Sequence, residues 1–548
     1  MVGTDFLGEV THDPDRVAII HDGRSVTFGE VAALADSVER AVGLHDVGRR
    51  VVGVPAGRSV DFVARMLGTW SAGAVPAILG DWPADRVRGA LTATGAVAAF
   101  SSTSALTELE SLSSGAPFDG DALRSASHIL FTSGTTGTPK GIVVGRSAFE
   151  DASAAFFAEM QVDASDRVAF LSRPGHDPSL RELLAPWLTG ATLVIPDQAT
   201  AADPKLIGGW LKQHSVTVLQ GSPAFLQLIA EASDGPIDCL RLVCSVGAQL
   251  TNAALVSIAR LAPVATIANC YGASETPQVI CAHKVPPGRA AVRPESVPIG
   301  SPLGHVEVKV VPTDAPAGEG ILHVEAAACA IAYTDGTPLR VPDGDGRLWY
   351  DTGDIVRRLP DGTLRFVGRR DRQVQVNGTR VELDEIEGAA LRVGGVAGSV
   401  AKLVEDGRGF GSVRLTVTPG PGATVDAEEL KAMLRDHLDP AVVPASVEVR
   451  DAPAESGSDG STTPMAAGGG PGDDRDALME LLQECAQSAL GAGRIDPDDG
   501  FFDAGFTSMT LMRFVSEVAL RLDVEISPVL VFRFPNLNAL ADHLSKEP

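Results

Sequence analysis

The chain has 548 residues, 44% of them hydrophobic. That is enough for real cores and too long for one ordinary domain; length alone predicts about three or four. A net charge of −25 argues against nucleic acid and anionic membrane as partners, because both need basic patches to neutralise phosphate. No run approaches the roughly 18 apolar residues of a membrane span, the start Met1-Val-Gly-Thr-Asp5 lacks the basic residues of a signal peptide, and the six cysteines include no Cys-x-x-Cys pair. The sequence therefore predicts a cytoplasmic protein with neither a zinc site nor a redox motif.

From Val17 to about Leu130, strand-like runs (Val17–Ile20, Val51–Val54, Ala96–Phe100) alternate with Ala-rich segments of helical period such as Phe28–Val42. The alternation predicts parallel α/β layers. Between the β-like runs Ser127–Phe131 and Ile142–Val144 lies Phe131-Thr-Ser-Gly-Thr-Thr-Gly-Thr-Pro-Lys-Gly141. Gly134 and Gly137 let the backbone approach an anion, the hydroxyls of Thr132, Ser133, Thr135 and Thr136 can donate hydrogen bonds, and Lys140 adds a positive charge. Those are the needs of a polyphosphate. The spacing differs from a P-loop, which ends in Lys-Ser/Thr and runs straight into a helix; here Pro139 precedes Lys140 and a strand-like run follows. A hydroxyl-rich surface turn is the plainer alternative, but a stretch of this length and composition closing on Pro-Lys-Gly argues against it.

Further along, Gly175-His-Asp-Pro-Ser-Leu-Arg-Glu182 leads into a predicted helix and the strand Ala191–Ile195. The strands Val216–Leu219 and Leu240–Cys244 lead to Gln220 and to Ser245-Val-Gly-Ala-Gln249. Three more blocks follow: Asn269-Cys-Tyr-Gly-Ala-Ser-Glu-Thr276, Trp349-Tyr-Asp-Thr-Gly-Asp354 and Gly368-Arg-Arg-Asp-Arg-Gln-Val-Gln-Val-Asn-Gly-Thr-Arg-Val-Glu-Leu383.

In this order, the motifs resemble the adenylate-forming superfamily, which includes acyl-CoA ligases, luciferases and the adenylation domains of nonribosomal peptide synthetases. Ser25–Glu30 and Gly68–Pro76 resemble its early, structural motifs. The resemblance implies an α/β fold with a large N-terminal core and a small mobile α+β subdomain. It implies that the Thr132–Gly137 loop and Lys140 hold the phosphates, with Thr136, Lys140, His176, Glu275 and Arg369 catalytic. Tyr271 stacks on adenine, Asn269 bonds its edge, and Gly247, Ala248, Gly272 and Ser274 line the nucleotide. Glu275 holds Mg²⁺, Asp354 accepts from the ribose hydroxyls, Arg369 contacts the nucleotide, and Asp371 is the pivot. His176 falls where the family has an aromatic gate. Asp177 stands where amino-acid-activating members carry the Asp that pairs with the α-amino group, while aryl-acid members carry Asn. The family's substrate pocket then maps to Asp177, Pro178, Arg181, Gln220, Cys244, Val246, Cys270, Gln278 and Val279. Polar side chains among small ones argue against a purely aliphatic or aromatic substrate. An inward Arg181 needs a partner: either an acidic or amide-bearing substrate, or a neighbouring carboxylate such as Glu182.

Two departures stand out. Gln375 replaces a usual lysine, and Ala452–Pro464 carries no Gly-Lys loop, with no Lys or Arg until Arg475. Losing such a transition-state charge costs on the order of 3 to 4 kcal/mol. Adenylation is then slow, or another cation substitutes, or the chain receives a substrate activated by a partner. Residues 452–475 are rich in Gly, Ser, Ala, Pro and Asp and predict a flexible linker spanning about 25 to 30 Å. Beyond it, Ala477–Leu490 has helical period, and Leu511, Phe514, Val515, Val518 and Leu522 predict a second amphipathic helix. Between them Asp503-x-Gly505-x-x-Ser508-Met509 resembles the phosphopantetheine site of four-helix carrier proteins, and Phe532–Leu537 their closing motif.

The resemblance thus implies a core over 1–370, a C-terminal subdomain over 371–451, a linker over 452–475 and a peptidyl carrier domain over 476–548. It implies ATP-dependent activation of an amino acid and its loading on the 4′-phosphopantetheine of Ser508, in antibiotic or other secondary metabolism. The partners implied are a phosphopantetheinyl transferase, tailoring or condensing enzymes in trans, and an MbtH-like activator. Two rivals stay open: an acyl-CoA or aryl-acid ligase, and a catalytically weak carrier or docking protein loaded by a partner.

Overall fold

The computed structural model describes residues 13–44, 50–101, 105–112, 120–132, 140–291, 296–313, 318–342, 346–376, 379–405, 411–420, 423–438, 442–450, 473–490, 494–499, 501, 504, 506, 508–522, 531, 534 and 536–545. They form two compact units, one of residues 1–201 with 206–382 and one of 202–205 with 383–548.

The first unit is built on two large sheets. In the nine-stranded sheet, Val17–His21, Thr192–Ile195, Arg167–Ala169, Val218–Gly221, Leu242–Val246 and Thr266–Ala273 run parallel. Thr276–Val285 returns antiparallel to Thr266–Ala273. The seven-stranded sheet has the parallel strands Val51–Pro55, Val75–Leu79, Ala98–Phe100 and Ala126–Thr132, closed by the antiparallel Lys140–Gly145 and Ala332–Tyr333. Strands such as Leu242–Val246 are buried along their whole length, as parallel strands covered on both faces must be. The expected parallel layering is therefore present, and each strand begins within two residues of the position read from hydropathy.

The two early motifs have structural work. Thr27 Oγ1 accepts from the Glu30 amide at 3.2 Å while Glu30 Oε2 accepts from the Thr27 amide at 2.8 Å, a reciprocal capping box that starts the helix Phe28–Leu44. Gly68, in the helix Val60–Ser71, lets that helix approach Phe28–Leu44: a Cβ there would stand 2.4 Å from the Ala35 carbonyl oxygen. In the same helix Trp70 donates its indole N–H to the Ser127 carbonyl at 2.8 Å, tying the pair to the strand Ala126–Thr132 that precedes the expected phosphate loop.

The second unit holds the antiparallel pair Val396–Glu405 and Gly411–Pro419, extended in parallel by Ser446–Val449, with the helices Leu383–Leu391 and Ala427–His437. It also contains the carrier region, whose described helices are Asp473–Leu490, Ser508–Leu522 and Leu537–Leu544. Phe501, Phe506 and Phe514 pack ring to ring at 5.2 to 5.6 Å in its core. The hairpin Gln373–Val376 with Thr379–Glu382 falls with the first unit, so the division lies at Glu382/Leu383. Among the described residues no helix is long and apolar enough to cross a membrane.

Candidate active site

The phosphate-loop positions Ser133, Gly134, Thr135, Thr136 and Gly137 lie outside the described residues, as do the side chains of Thr132 and Ser508. The frame around the loop is described. Thr132 and Lys140 are partners across an antiparallel pair, so the loop joins two adjacent strands. Lys140 Nζ lies 3.3 Å from Asp335 Oδ2 and 3.7 Å from the centre of the Tyr333 ring. The Tyr333 hydroxyl in turn donates to Glu275 Oε1 at 2.9 Å. The expected phosphate-binding lysine and the expected metal-binding carboxylate are thus joined through one tyrosine.

Glu275 is 1% exposed. Mg²⁺ bound with a nucleotide keeps its waters and phosphate ligands and needs only one or two protein carboxylates. A buried Glu oriented by a hydroxyl fits that demand. Among the described residues no three His, Cys, Asp or Glu side chains converge on a common point.

A second cluster gathers Tyr271, Asp354, Arg369 and Asp371. The two oxygens of Asp354 accept from the Tyr271 hydroxyl and from Arg369 Nη1. Arg369 also makes a bidentate pair with Asp371, Nε to Oδ1 at 2.6 Å and Nη2 to Oδ2 at 2.7 Å. Burial and the neighbouring Asp354 carboxylate push the Tyr271 phenol well above its ordinary range, so it stays a donor. Gly353 sits at φ +71°, where a Cβ would come 2.9 Å from Arg369 Nη2. The residue before Asp354 must therefore be small and left-handed for this knot to close. Asn269 donates its amide to the carbonyls of Pro298 at 2.8 Å and Val297 at 3.3 Å. Those bonds orient its carbonyl oxygen, the atom that would accept from an adenine amino group. Gly272 has no room for a side chain, since a Cβ would stand 2.4 Å from the Gln278 carbonyl. Gly247, at φ +83°, ends the strand Leu242–Val246 beside Ala248.

The third cluster is the expected substrate pocket. His176 is the N-cap of the helix Asp177–Thr189, with Pro178 in its first turn. Asp177 and Arg181 share a face at i, i+4, their charged atoms 3.5 Å apart. Arg181 is 1% exposed; its Nε donates to Gln220 Oε1 at 2.8 Å, its Nη1 to Gln278 Oε1 at 3.0 Å, and its guanidinium lies 4.8 Å from the Phe156 ring centre. Its Nη2 is buried and has no hydrogen-bond partner among the described residues. Both oxygens of Asp177 accept from the Gln278 backbone N–H at 3.1 Å, and burial pushes the carboxyl up from its usual range against the opposing pull of Arg181. Gln278 adopts φ +68°, a costly conformation for a non-glycine residue that persists because Asp177 and Arg181 hold both its ends. Cys244 and Cys270 share a thiol hydrogen bond that pushes the Cys244 thiol up. Val246 is the strand partner of Cys270, and Val279 is fully buried next to Gln278.

The alternative partner for Arg181, Glu182, is engaged elsewhere. It accepts from the Ser172 hydroxyl at 2.7 Å and from Gln220 Nε2 at 3.3 Å. The carboxylate that pairs with Arg181 inside the protein is Asp177, because an i, i+4 neighbour shares its helix face and an i, i+1 neighbour does not. Burial pushes the Glu182 carboxyl up to about 8, against the lowering effects of Ser172, Arg58 and Arg181. A raised carboxyl stabilises the fold fully below its unfolded pKa and loses that contribution as pH rises through the folded one. Stability, read as the thermal midpoint, is therefore expected to fall as pH rises from about 5 to about 8 and to level off above that. Glu182→Gln, which mimics the protonated acid, should flatten that slope. Equal slopes in the two proteins would show that Glu182 is ionised throughout.

Sequence reasoning missed Tyr333, Asp335 and Phe156. Tyr333 had one usable signal, as one of only three tyrosines, the others being Tyr271 and Tyr350. Phe156 had none.

Two large sheets of mostly parallel strands, the paired strand ends Thr132 and Lys140, and the Tyr271–Asp354–Arg369 cluster form the frame expected of an adenylate-forming enzyme. The pattern of the AMP-binding enzyme family matches residues 8–333, and that of the phosphopantetheine attachment site matches residues 480–544. The chain belongs to the AMP-binding enzyme family, as an adenylation domain followed by a peptidyl carrier domain of the nonribosomal peptide synthetase kind. It is 29% identical over 569 residues to a phenyloxazoline synthase, MbtB, of Mycobacterium sp. (strain MCS), covering 94% of this chain and 47% of that protein. It is 27% identical to surfactin synthase subunit 2 of Bacillus subtilis (strain 168), covering 98% of this chain and 16% of that one. The chain thus spans half or less of these curated relatives. In fold it resembles a nonribosomal peptide synthetase protein containing adenylation and PCP domains bound to a vinylsulfonamide inhibitor (TM-score 0.71, 18% identity, 99% and 96% of the two chains). It equally resembles the Vibrio cholerae adenylation domain AlmE in complex with glycyl-adenosine-5′-phosphate (TM-score 0.71, 20% identity, 82% and 94%). Such a chain uses ATP and Mg²⁺ in the adenylation domain and 4′-phosphopantetheine on the carrier.

Proposed function

We propose that the chain, acting in the cytoplasm, activates an α-amino acid with a carboxylate or amide side chain and loads it onto its own carrier domain. The observation that carries this reading is Arg181 Nη2, a buried donor without a partner among the described residues, in a guanidinium otherwise fixed by Gln220 and Gln278. A buried unpaired donor costs about 1 to 3 kcal/mol, more on a charged group, and an acidic or amide side chain would remove that cost. Asp177 has lone pairs beyond those taken by Gln278 and is the matching acceptor for an α-amino group.

In this reading the Asp177–Arg181 pair grips the substrate at both ends and leaves its α-carboxylate toward the phosphates. A carboxylate oxygen attacks the α-phosphorus, the bond to pyrophosphate breaks, and an acyl-AMP remains. Lys140 offsets phosphate charge, Arg369 and Asp354 fix the ribose and α-phosphate, and Glu275 would hold the Mg²⁺ that would supply further neutralisation. The 4′-phosphopantetheine that a phosphopantetheinyl transferase would install on Ser508 would supply the thiol that takes the acyl group, the acyl–phosphate bond breaking and AMP leaving. Tailoring or condensing enzymes then accept it, and an MbtH-like protein is a candidate activator.

A second reading has one observation behind it. Arg181 already neutralises Asp177, which suits a substrate lacking an α-amino group, such as an aryl acid. ATP–pyrophosphate exchange over acidic, amide, aliphatic and aryl acids, followed by intact mass of the phosphopantetheinylated protein with Ser508→Ala as the blank, separates the two. Exchange with aspartate, glutamate or their amides at least about tenfold above valine and phenylalanine is expected. Exchange with only valine or phenylalanine would sink the polar pocket, and exchange with aryl acids alone would establish the second reading.

A further inference from the structure

The helix Ala427–His437 of the small subdomain carries Glu428, Lys431 and Arg435 at i, i+3 and i+7, one stripe of charge. In the same compact unit that stripe meets two helices of the carrier region. Lys431 Nζ lies 3.0 Å from Glu517 Oε2, donates to the Ala445 carbonyl at 2.6 Å, and bonds the Ser488 hydroxyl. Arg435 donates to the Ser488 carbonyl at 2.5 Å. Arg521 pairs with Glu517 at 3.0 Å and Glu484 at 2.7 Å, both in the carrier, and reaches Glu428 at 3.5 Å. The central pair is sealed from water, Lys431 being 1% and Glu517 0% exposed.

Glu517 and Arg521 flank the apolar stripe Leu511–Phe514–Val515–Val518 of the helix that begins at Ser508. Nine residues separate Ser508 from Glu517, about 13 Å along the helix at 1.5 Å per residue. The contact therefore grips the carrier by the end of that helix remote from its modification site. A water-excluded ion pair roughly breaks even against hydration when both partners are present, yet costs several kcal/mol when one is missing. That profile suits a reversible contact that accepts one partner and refuses others.

We propose that the Glu428–Lys431–Arg435 face is a docking surface for the chain's own carrier domain, keyed by the Lys431–Glu517 pair, so that carrier and small subdomain move together while docked. A carrier lacking an acid at the Glu517 position would be refused. The proposal stands whichever substrate the adenylation core takes.

The test uses the full chain with Glu428→Cys and Arg521→Cys, two rim positions, treated with a short bismaleimide and read by peptide mapping and intact mass. The parent cysteine background is the blank. An efficient intramolecular cross-link is expected, falling about tenfold or more when Lys431→Met or Glu517→Met is added, because each takes the facing counter-charge from a buried ion. The double variant Lys431→Met, Glu517→Met should recover to within about threefold of the starting yield. Modification of Ser508 by a phosphopantetheinyl transferase checks that the carrier is folded. If the single variants fail to fold, Arg435→Ala, which spares the buried pair, should still lower the yield by about threefold. No cross-link in the starting protein, unchanged yield in the folded variants, or losses that simply add in the double variant would each overturn the proposal.

Discussion

Lys140→Ala is expected to lower ATP–pyrophosphate exchange by about two to three orders of magnitude while changing stability by less than about 1 kcal/mol. The two effects separate because of where the charge sits. Lys140 and Asp335 are 26% and 47% exposed, so their ion pair is a screened surface contact of little net worth to the fold. For catalysis the same charge belongs to the strand partner of Thr132, next to the expected phosphate loop, in a chain of net charge −25. Two other cations are already committed. Arg369 is divided between Asp354 and Asp371, and Lys431, one of two lysines in the small subdomain, is buried against Glu517. With no lysine or arginine between residues 452 and 474, little remains to replace it. Exchange rates and a thermal melt on one preparation decide the matter. Near-normal exchange would mean that the phosphate charge is met by a group not identified here, and a large drop in melting temperature would mean that Lys140 acts through the fold.

The sequence was most informative where chemistry and backbone coincide. The strand pair on either side of residues 133–139 was legible because strand-like runs flank a Gly/Thr/Lys segment, and Thr132 and Lys140 do pair. Asp354, Arg369 and Asp371 were readable as single residues, yet nothing in their spacing said that one guanidinium would join both carboxylates. That knot depends on a left-handed Gly353 and on the register of Asp354 with Arg369, which only the folded sheet supplies. Tyr333 was invisible for a related reason. It reaches Lys140 and Glu275 because a two-residue strand, Ala332–Tyr333, adds to the edge beside Ile142 and Val143, a pairing across almost two hundred positions. Long-range edge pairing leaves no local periodicity to read. The choice of partner for Arg181 was legible in principle, since i, i+4 geometry favours Asp177 over Glu182.

Arg181→Met should be the most damaging substitution in the pocket, destabilising the adenylation core by about 3 to 5 kcal/mol. It removes the cation facing a buried carboxylate and empties two hydrogen bonds, leaving Gln220 and Gln278 without their donor. Gln278 is then held at φ +68° only by Asp177, so the strain loses half its support. Burial already pushes the Asp177 carboxyl up, and without Arg181 it rises further, so the loss should shrink as pH falls and Asp177 takes up a proton. Adding Asp177→Asn should restore part of the stability, a coupling that appears only if the two side chains meet as a charged pair. Substrate choice supplies the second readout. If Arg181 Nη2 receives the substrate's side chain, Arg181→Met lowers exchange with acidic amino acids about a hundredfold or more relative to aliphatic ones, since the pocket no longer offers a buried donor in need of an acceptor. If the unfolding midpoint falls but the ratio of acidic to aliphatic exchange stays the same, Arg181 braces Asp177 and Gln278 and the pocket's selectivity resides elsewhere.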